Sequence, residues 1–186
     1  MSGEMRTSSA TLYLDVDGVI NPYGACGRTG WGGDWVLADA GVLDVAFAPE
    51  LVSRLNALAV RPGMRCVWLT TWERMAPELL CPAIMLDGGA WPVLSGARRD
   101  HGGNWWKLDA IRRDVARNPA DRLIWLDDQL DHEPQALAWA EGWGRRMLHI
   151  SPDPRRGLTP RHLDAVEAFF DPESAAEVFC AAPDAT

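Results

Sequence analysis

The sequence predicts a doubly wound α/β fold on a parallel sheet, and three short runs carry that prediction. Leu12-Tyr13-Leu14 leads into Asp15-Val16-Asp17-Gly18, Cys66-Val67-Trp68-Leu69 into Thr70-Thr71, and Leu123-Ile124-Trp125-Leu126 into Asp127-Asp128. Each run is apolar at successive positions instead of alternating, which suits a strand covered on both faces. Stretches of helical spacing separate the runs, and strands alternating with helices build a parallel sheet with crossovers.

The remaining elements follow in order. Residues 21–47 hold six glycines and read as a loop with a β-hairpin, Trp35 to Leu37 returning through Val42 to Phe47. Pro49 suits the first turn of a helix that places Leu51, Leu55 and Leu58 on one face. After the second run, Ala83-Ile84-Met85-Leu86 reads as a further short strand. Asn104 is placed to cap a helix with Leu108, Ile111 and Val115 at helical spacing. Pro134 opens a short helix carrying Leu137, and residues 146–150 form another strand. Thr159-Pro160 is a cap and first turn before Leu163, Val166 and Phe170. No repeat and no linker interrupts the chain, so a single domain is expected over residues 11–170. Residues 1–10 and the acidic, Ala-rich 171–186 are read as tails.

At 186 residues the chain is long enough to bury a proper core. A net charge of −8 argues against a broad nucleic-acid-binding face, though not against a local basic rim. Cys26, Cys66, Cys81 and Cys180 lack metal-ligand spacing and read as buried free thiols of a reducing compartment. The polar start lacks an apolar signal core, and no stretch nears the roughly 20 apolar residues of a membrane span. A cytoplasmic location without membrane contact is the expectation.

In open parallel sheets, ligands bind beyond the carboxyl ends of the strands. The pattern therefore gathers Asp15, Asp17, Thr70, Asp127 and Asp128 at one edge. Crowded carboxylates repel unless a cation is present, so the group predicts a hard divalent metal, with Mg²⁺ the natural candidate. Asp15 suits a nucleophile that forms an aspartyl-phosphate. Asp17 suits the acid that protonates the leaving oxygen and then the base that activates water. Gly18 lets the backbone turn close to a ligand. Thr70 can donate its hydroxyl and backbone N–H to phosphoryl oxygens. Lys107 is the only lysine among eighteen Lys and Arg residues, and it offers a compact charge between the Thr-Thr and Asp-Asp runs.

With these residues in this order, the chain resembles the haloacid dehalogenase-like superfamily of phosphohydrolases. Asp15-Val16-Asp17-Gly18-Val19 matches the first motif, Thr70 the second, Lys107 the third, and Asp127-Asp128 the fourth. The resemblance spans roughly residues 11–150. It implies a Rossmann-like sheet, an Asp15 nucleophile, an Asp17 acid/base, and Mg²⁺. The metal would be held by the Asp15 carboxylate, the Asp17 backbone carbonyl and the Asp127-Asp128 pair, with Asp128 the preferred direct ligand. A closer resemblance is to the small domains of this superfamily in multi-domain bacterial RNA-repair proteins. Its marks are Leu-Asp-Val-Asp-Gly-Val, Thr70-Thr71-Trp72-Glu73, Lys107 at a helix start, and Gly157-Leu158-Thr159. No P-loop Gly-Lys-Ser/Thr accompanies them, so a repair role would be the phosphatase step alone.

Members acting on small metabolites commonly carry a lid after the first or second motif. Here both intervals are too short for one, which predicts a capless domain with a hairpin flap. An open site suits a large phosphorylated substrate such as an RNA or DNA end. The alternatives are a small-molecule (nucleotide or sugar) phosphatase, a weakly catalytic module binding phosphate or nucleic-acid ends, and a phosphotransferase. Thr71, Trp72, Trp35 and Arg155 are further candidates for substrate contact, as are Trp31, Arg98, Arg99 and Arg156. Aromatic rings on an open rim could stack on nucleobases, at about 1–3 kcal/mol per base.

Overall fold

A computed structural model describes residues 9–24, 30–33, 35–96 and 105–170. Cys26, Arg98, Arg99, Asn104, Cys180 and residues 1–8 and 171–186 lie outside the described residues; of the tail expected over 1–10, Ala10 instead opens the first strand. The four parallel strands are β1 (Ala10–Leu14), β4 (Met64–Trp68), β5 (Arg122–Leu126) and β6 (Met147–Ile150), in the spatial order β4-β1-β5-β6. From β1 the chain moves outward to β4 and then crosses back to β5. The crevice beside β1 is therefore the topological switch point at which ligands of open α/β sheets bind.

Register brings the strand ends level. Leu14 pairs with Trp68 on one side and Leu126 on the other, and Leu126 pairs with Ile150. Backbone bonds carry the alignment one residue further: Leu69 N donates to Leu14 O, Asp15 N to Leu126 O, and Asp127 N to Ile150 O.

The unbroken apolar runs are explained by two buried layers. Leu12, Leu14, Cys66, Trp68, Ile124 and Leu126 enter one core, whereas Tyr13, Val67, Leu69, Leu123 and Trp125 enter the other. The first core is closed by α1 (Pro49–Ala59), through Leu51, Leu55 and Leu58, and by α5 (Pro160–Phe170), through Leu163 and Val166. Arg54 clamps these helices together with bonds to Asp164 and Glu167. The second core is closed by α3 (Trp106–Arg117), through Leu108 and Ile111, and by α4 (Pro134–Trp143). Fully burying one such leucine or isoleucine contributes roughly 1.5–3 kcal/mol.

The flap is present as β2 (Val36–Asp39) paired antiparallel with β3 (Asp44–Phe47). Among the described residues, the interval from β4 to α3 holds a wide π-type turn, Ala76–Leu80, running into α2 (Cys81–Ile84). Neither interval carries a folded lid among those residues.

One sequence expectation is corrected. The proposed strand Ala83–Leu86 is the end of α2, closed by Met85 at φ 59° with Leu86 N bonded to Cys81 O. The place beside β4 is taken instead by the segment around Val93: Trp68 N donates to Pro92 O, and Leu94 N to Trp68 O. In α4, Ala136 and Ala140 are buried while Leu137 is half-buried. Small side chains bring that helix close to the sheet, where its own Trp139 meets the Trp125 ring of β5 edge-on. Cys66 and Cys81 are buried free thiols, and burial pushes Cys66 up to about 12. No helix among the described residues is long and apolar enough to cross a membrane.

Candidate active site

The site is assembled from strand ends and one helix start. Asp15 directly follows β1, and its Oδ1 accepts a bond from the Val16 N–H at 2.7 Å. Asp127 follows β5, and its Oδ1 accepts from the Gln129 N–H. Lys107 stands in the first turn of α3, fully buried, and its ammonium donates to Asp15 Oδ2 and, at 2.7 Å, to Asp127 Oδ2. The indole rings of Trp105 and Trp106 lie 5.4 and 5.9 Å from Nζ, a cation–π setting that also shields the charge from water. Burial alone would lower the Lys107 pKa, but Asp15 and Asp127 outweigh it and hold the ammonium protonated above its ordinary value.

The acidic side of the site remains undercompensated. Carboxylate oxygens of Asp15, Asp127 and Asp128 lie within 4.8 Å of one another, all buried, around one ammonium. Burial raises the Asp127 and Asp128 carboxyls, and Asp15 adds to both shifts against the pull of Lys107. A hard cation with oxygen ligands answers that imbalance, so the donor set fits Mg²⁺. Each oxygen of Asp15 and of Asp127 accepts one bond and keeps a second lone pair that can face an ion. Asp128 reaches the site past Gly18, which has φ +72°; a Cβ there would lie 2.5 Å from the Asp128 carboxyl carbon. The missing side chain at position 18 is thus a requirement of the carboxylate packed against it.

Asp17 is oriented differently. Its Oδ1 accepts from the Asn21 side-chain amide at 3.0 Å, and its Oδ2 from the Trp72 indole N–H at 2.9 Å. Its carboxylate is not in the three-acid cluster, and only its backbone carbonyl remains as the contribution to the metal expected from the sequence. Thr70 is fully buried at the end of β4, where its Oγ1 accepts the Trp72 backbone N–H. Thr71 beside it is exposed, as is Arg155, whose N–H caps Asp153 in the turn after β6.

The tryptophans correct the stacking expectation. Trp72 is 4% exposed and engaged with Asp17; Trp31 is 3% exposed and donates to the Leu158 carbonyl. Neither ring has an open face for a base. Trp35 is half-buried against the core under the flap, and its buried Nε1 has no partner among the described residues.

A further set was not anticipated from the sequence. The Tyr13 hydroxyl donates to Asp114 Oδ2 at 2.8 Å, and Arg65 grips both Asp114 oxygens at 2.7 and 2.9 Å. This network ties α3, and hence Lys107, to β1 and β4. The one available signal was Asp114 lying seven residues after Lys107, two helical turns along the same face.

A comparison with curated proteins finds no match. A family model described as the HAD domain in Swiss Army Knife RNA repair proteins matches residues 11–163, spanning every element from β1 into α5. That family lies within a superfamily of phosphatase-type hydrolases, in keeping with the buried acidic cluster at the switch point. The chain belongs to the family of HAD domains of Swiss Army Knife RNA repair proteins.

Proposed function

We propose that the protein is a Mg²⁺-dependent phosphomonoesterase that works through an aspartyl-phosphate on Asp15 and acts on a large, open substrate such as a nucleic-acid end. The observation that carries the reading is the buried Lys107 ammonium shared by Asp15 and Asp127, with Asp128 completing the acidic set. Support for an open substrate comes from the two lid intervals, which hold a hairpin and a short helical turn among the described residues. The family's RNA-repair description points the same way.

Asp15, Asp128 and the Asp17 carbonyl would hold the metal. When bound, Mg²⁺ supplies charge neutralisation to the carboxylates and to the phosphoryl oxygens. An Asp15 carboxylate oxygen forms a bond to phosphorus as the bond from phosphorus to the leaving oxygen breaks. The Asp17 carboxyl gives its proton to that leaving oxygen. In the second half, Asp17 takes a proton from water as the water oxygen bonds to phosphorus. The bond to Asp15 breaks, inorganic phosphate leaves, and both side chains return to their starting states. Lys107 fixes the Asp15 carboxylate and offsets charge as the phosphoryl group transfers, with no reorganisation needed at that moment. Thr70, beyond the end of the neighbouring strand, would donate to the phosphoryl oxygens.

The test is hydrolysis of an aryl phosphate and of 5′- and 3′-phosphorylated oligonucleotides, with Mg²⁺ and with chelator. The expected outcome is metal-dependent release of phosphate that Asp15→Asn abolishes. Equal rates in the two proteins would sink the reading.

A further inference from the structure

We propose that Trp72 is a positioning residue for Asp17: its indole N–H, working against the Asn21 amide, fixes the orientation in which the Asp17 carboxyl serves the leaving oxygen. The inference rests on the reading of Asp17 as proton donor and assigns a task to two residues that do not touch phosphate. Asp17 lies in a tight turn where Gly18 N donates to Asn21 O, so the backbone alone leaves the side-chain torsions open. Those torsions are fixed by one donor on each oxygen, Asn21 Nδ2 at 3.0 Å and Trp72 Nε1 at 2.9 Å. A carboxylate oxygen has two lone-pair sites, so each can still carry a proton while accepting one bond.

Both donors are themselves held. Trp72 is buried in the core, and its backbone N–H is bonded to Thr70 Oγ1. The proposed phosphate-clamp residue and the indole are therefore joined by a direct bond. Asn21 Oδ1 accepts the Ala46 N–H of β3 at 3.1 Å, which joins the Asp17 carboxyl to the flap hairpin through a single amide. A tryptophan that only filled space would have no need to place its N–H on a carboxylate 55 residues away in the chain.

The leaving group separates positioning from packing. A p-nitrophenolate departs without a proton, whereas an alkoxide needs one. Hydrolysis of the aspartyl-phosphate, where Asp17 acts as base, is common to both. An error in proton delivery is therefore read in the first half-reaction, as the single-turnover burst of alcohol or phenol, and is felt there on alkyl phosphates alone. Trp72→Phe keeps the aromatic ring and removes the donor. It is expected to slow that burst on a simple alkyl phosphate about tenfold or more at saturating substrate, and to leave the burst on p-nitrophenyl phosphate within about twofold. Asn21→Ala is expected to show the same split. Asp17→Asn should show a steeper one, and adding Trp72→Phe to it should cost nothing further on the alkyl substrate.

Equal losses on both substrates, no loss on either, or an additive loss in the double variant overturns the positioning role. Should Asp17→Asn itself slow the first-half burst equally on both substrates, Asp17 is not the proton donor. The inference then falls with the reading beneath it, and the two failures are told apart.

Discussion

Lys107 is held by two carboxylates, and the shape of its charge decides what can replace it. A guanidinium is planar and larger, and cannot occupy the point between Asp15 and Asp127 that a compact ammonium fills. Lys107→Arg is therefore expected to lose roughly a hundredfold or more in kcat, the scale on which preorganised charge acts. Full activity in a folded variant would tell against the assigned role. At Gly18 the constraint is steric: an added methyl meets the Asp128 carboxyl at 2.5 Å on a backbone of positive φ. Gly18→Ala should cost about 1–3 kcal/mol by urea unfolding and weaken Mg²⁺ binding at the same time. Unchanged metal affinity would separate Gly18 from the site. Residues whose meaning lies in strand position, such as Asp15 and Asp127, were legible because a buried run ending in an acid is a local pattern. Trp72 was not, since a core tryptophan and a hydrogen-bonded one share the same local sequence.

At the level of elements, the placement of α3 governs the site because, among the described residues, its Lys107 is the cation bonded to the acids. Its anchor is the Tyr13–Asp114–Arg65 network on the far side of the second core. Burial would raise the Asp114 carboxyl, but bonds from Arg65 and Tyr13 outweigh it and hold the group below its ordinary value of 3.8. A carboxyl depressed in the folded state stabilises the protein above its unfolded pKa, and that contribution fades as pH falls through the folded value. The difference in unfolding free energy between wild type and Asp114→Asn should accordingly shrink as pH is lowered below about 4. A difference constant from neutral to acid pH would contradict the account. Tyr13→Phe removes one buried bond and should cost about 1.5–3 kcal/mol by urea titration, the scale for a bond to a charged acceptor. The network escaped a sequence reading because its three members belong to three different elements. Ala83–Leu86 was misread for the opposite reason: a four-residue apolar run has no period, and Pro82 in the first turn of α2 fits a helix as well.

On the scale of the whole molecule, the sheet order places the acids at the switch point, and the buried negative charge there would couple folding to any cation it holds. Mg²⁺ binding to the folded state alone should raise the melting temperature with concentration, by about 2.7 kcal/mol of stability at a hundredfold excess over Kd. Asp128→Asn should flatten that response, and an unaltered response would remove Asp128 from the metal set. The parallel sheet, its two cores and the hairpin were readable from unbroken runs and glycine content, because those follow from chain-local periodicity. The tie from flap to acid through Asn21 was not, because it depends on how the hairpin folds back. The most direct test of the central claim is acid-quenched capture of the covalent intermediate. Enzyme turning over a phosphomonoester with Mg²⁺ is quenched, digested and mapped by mass spectrometry. The account predicts a phosphoryl adduct on Asp15, lost with chelator and absent from Asp15→Asn. Steady turnover with no adduct on Asp15, or an adduct on another residue, would contradict it.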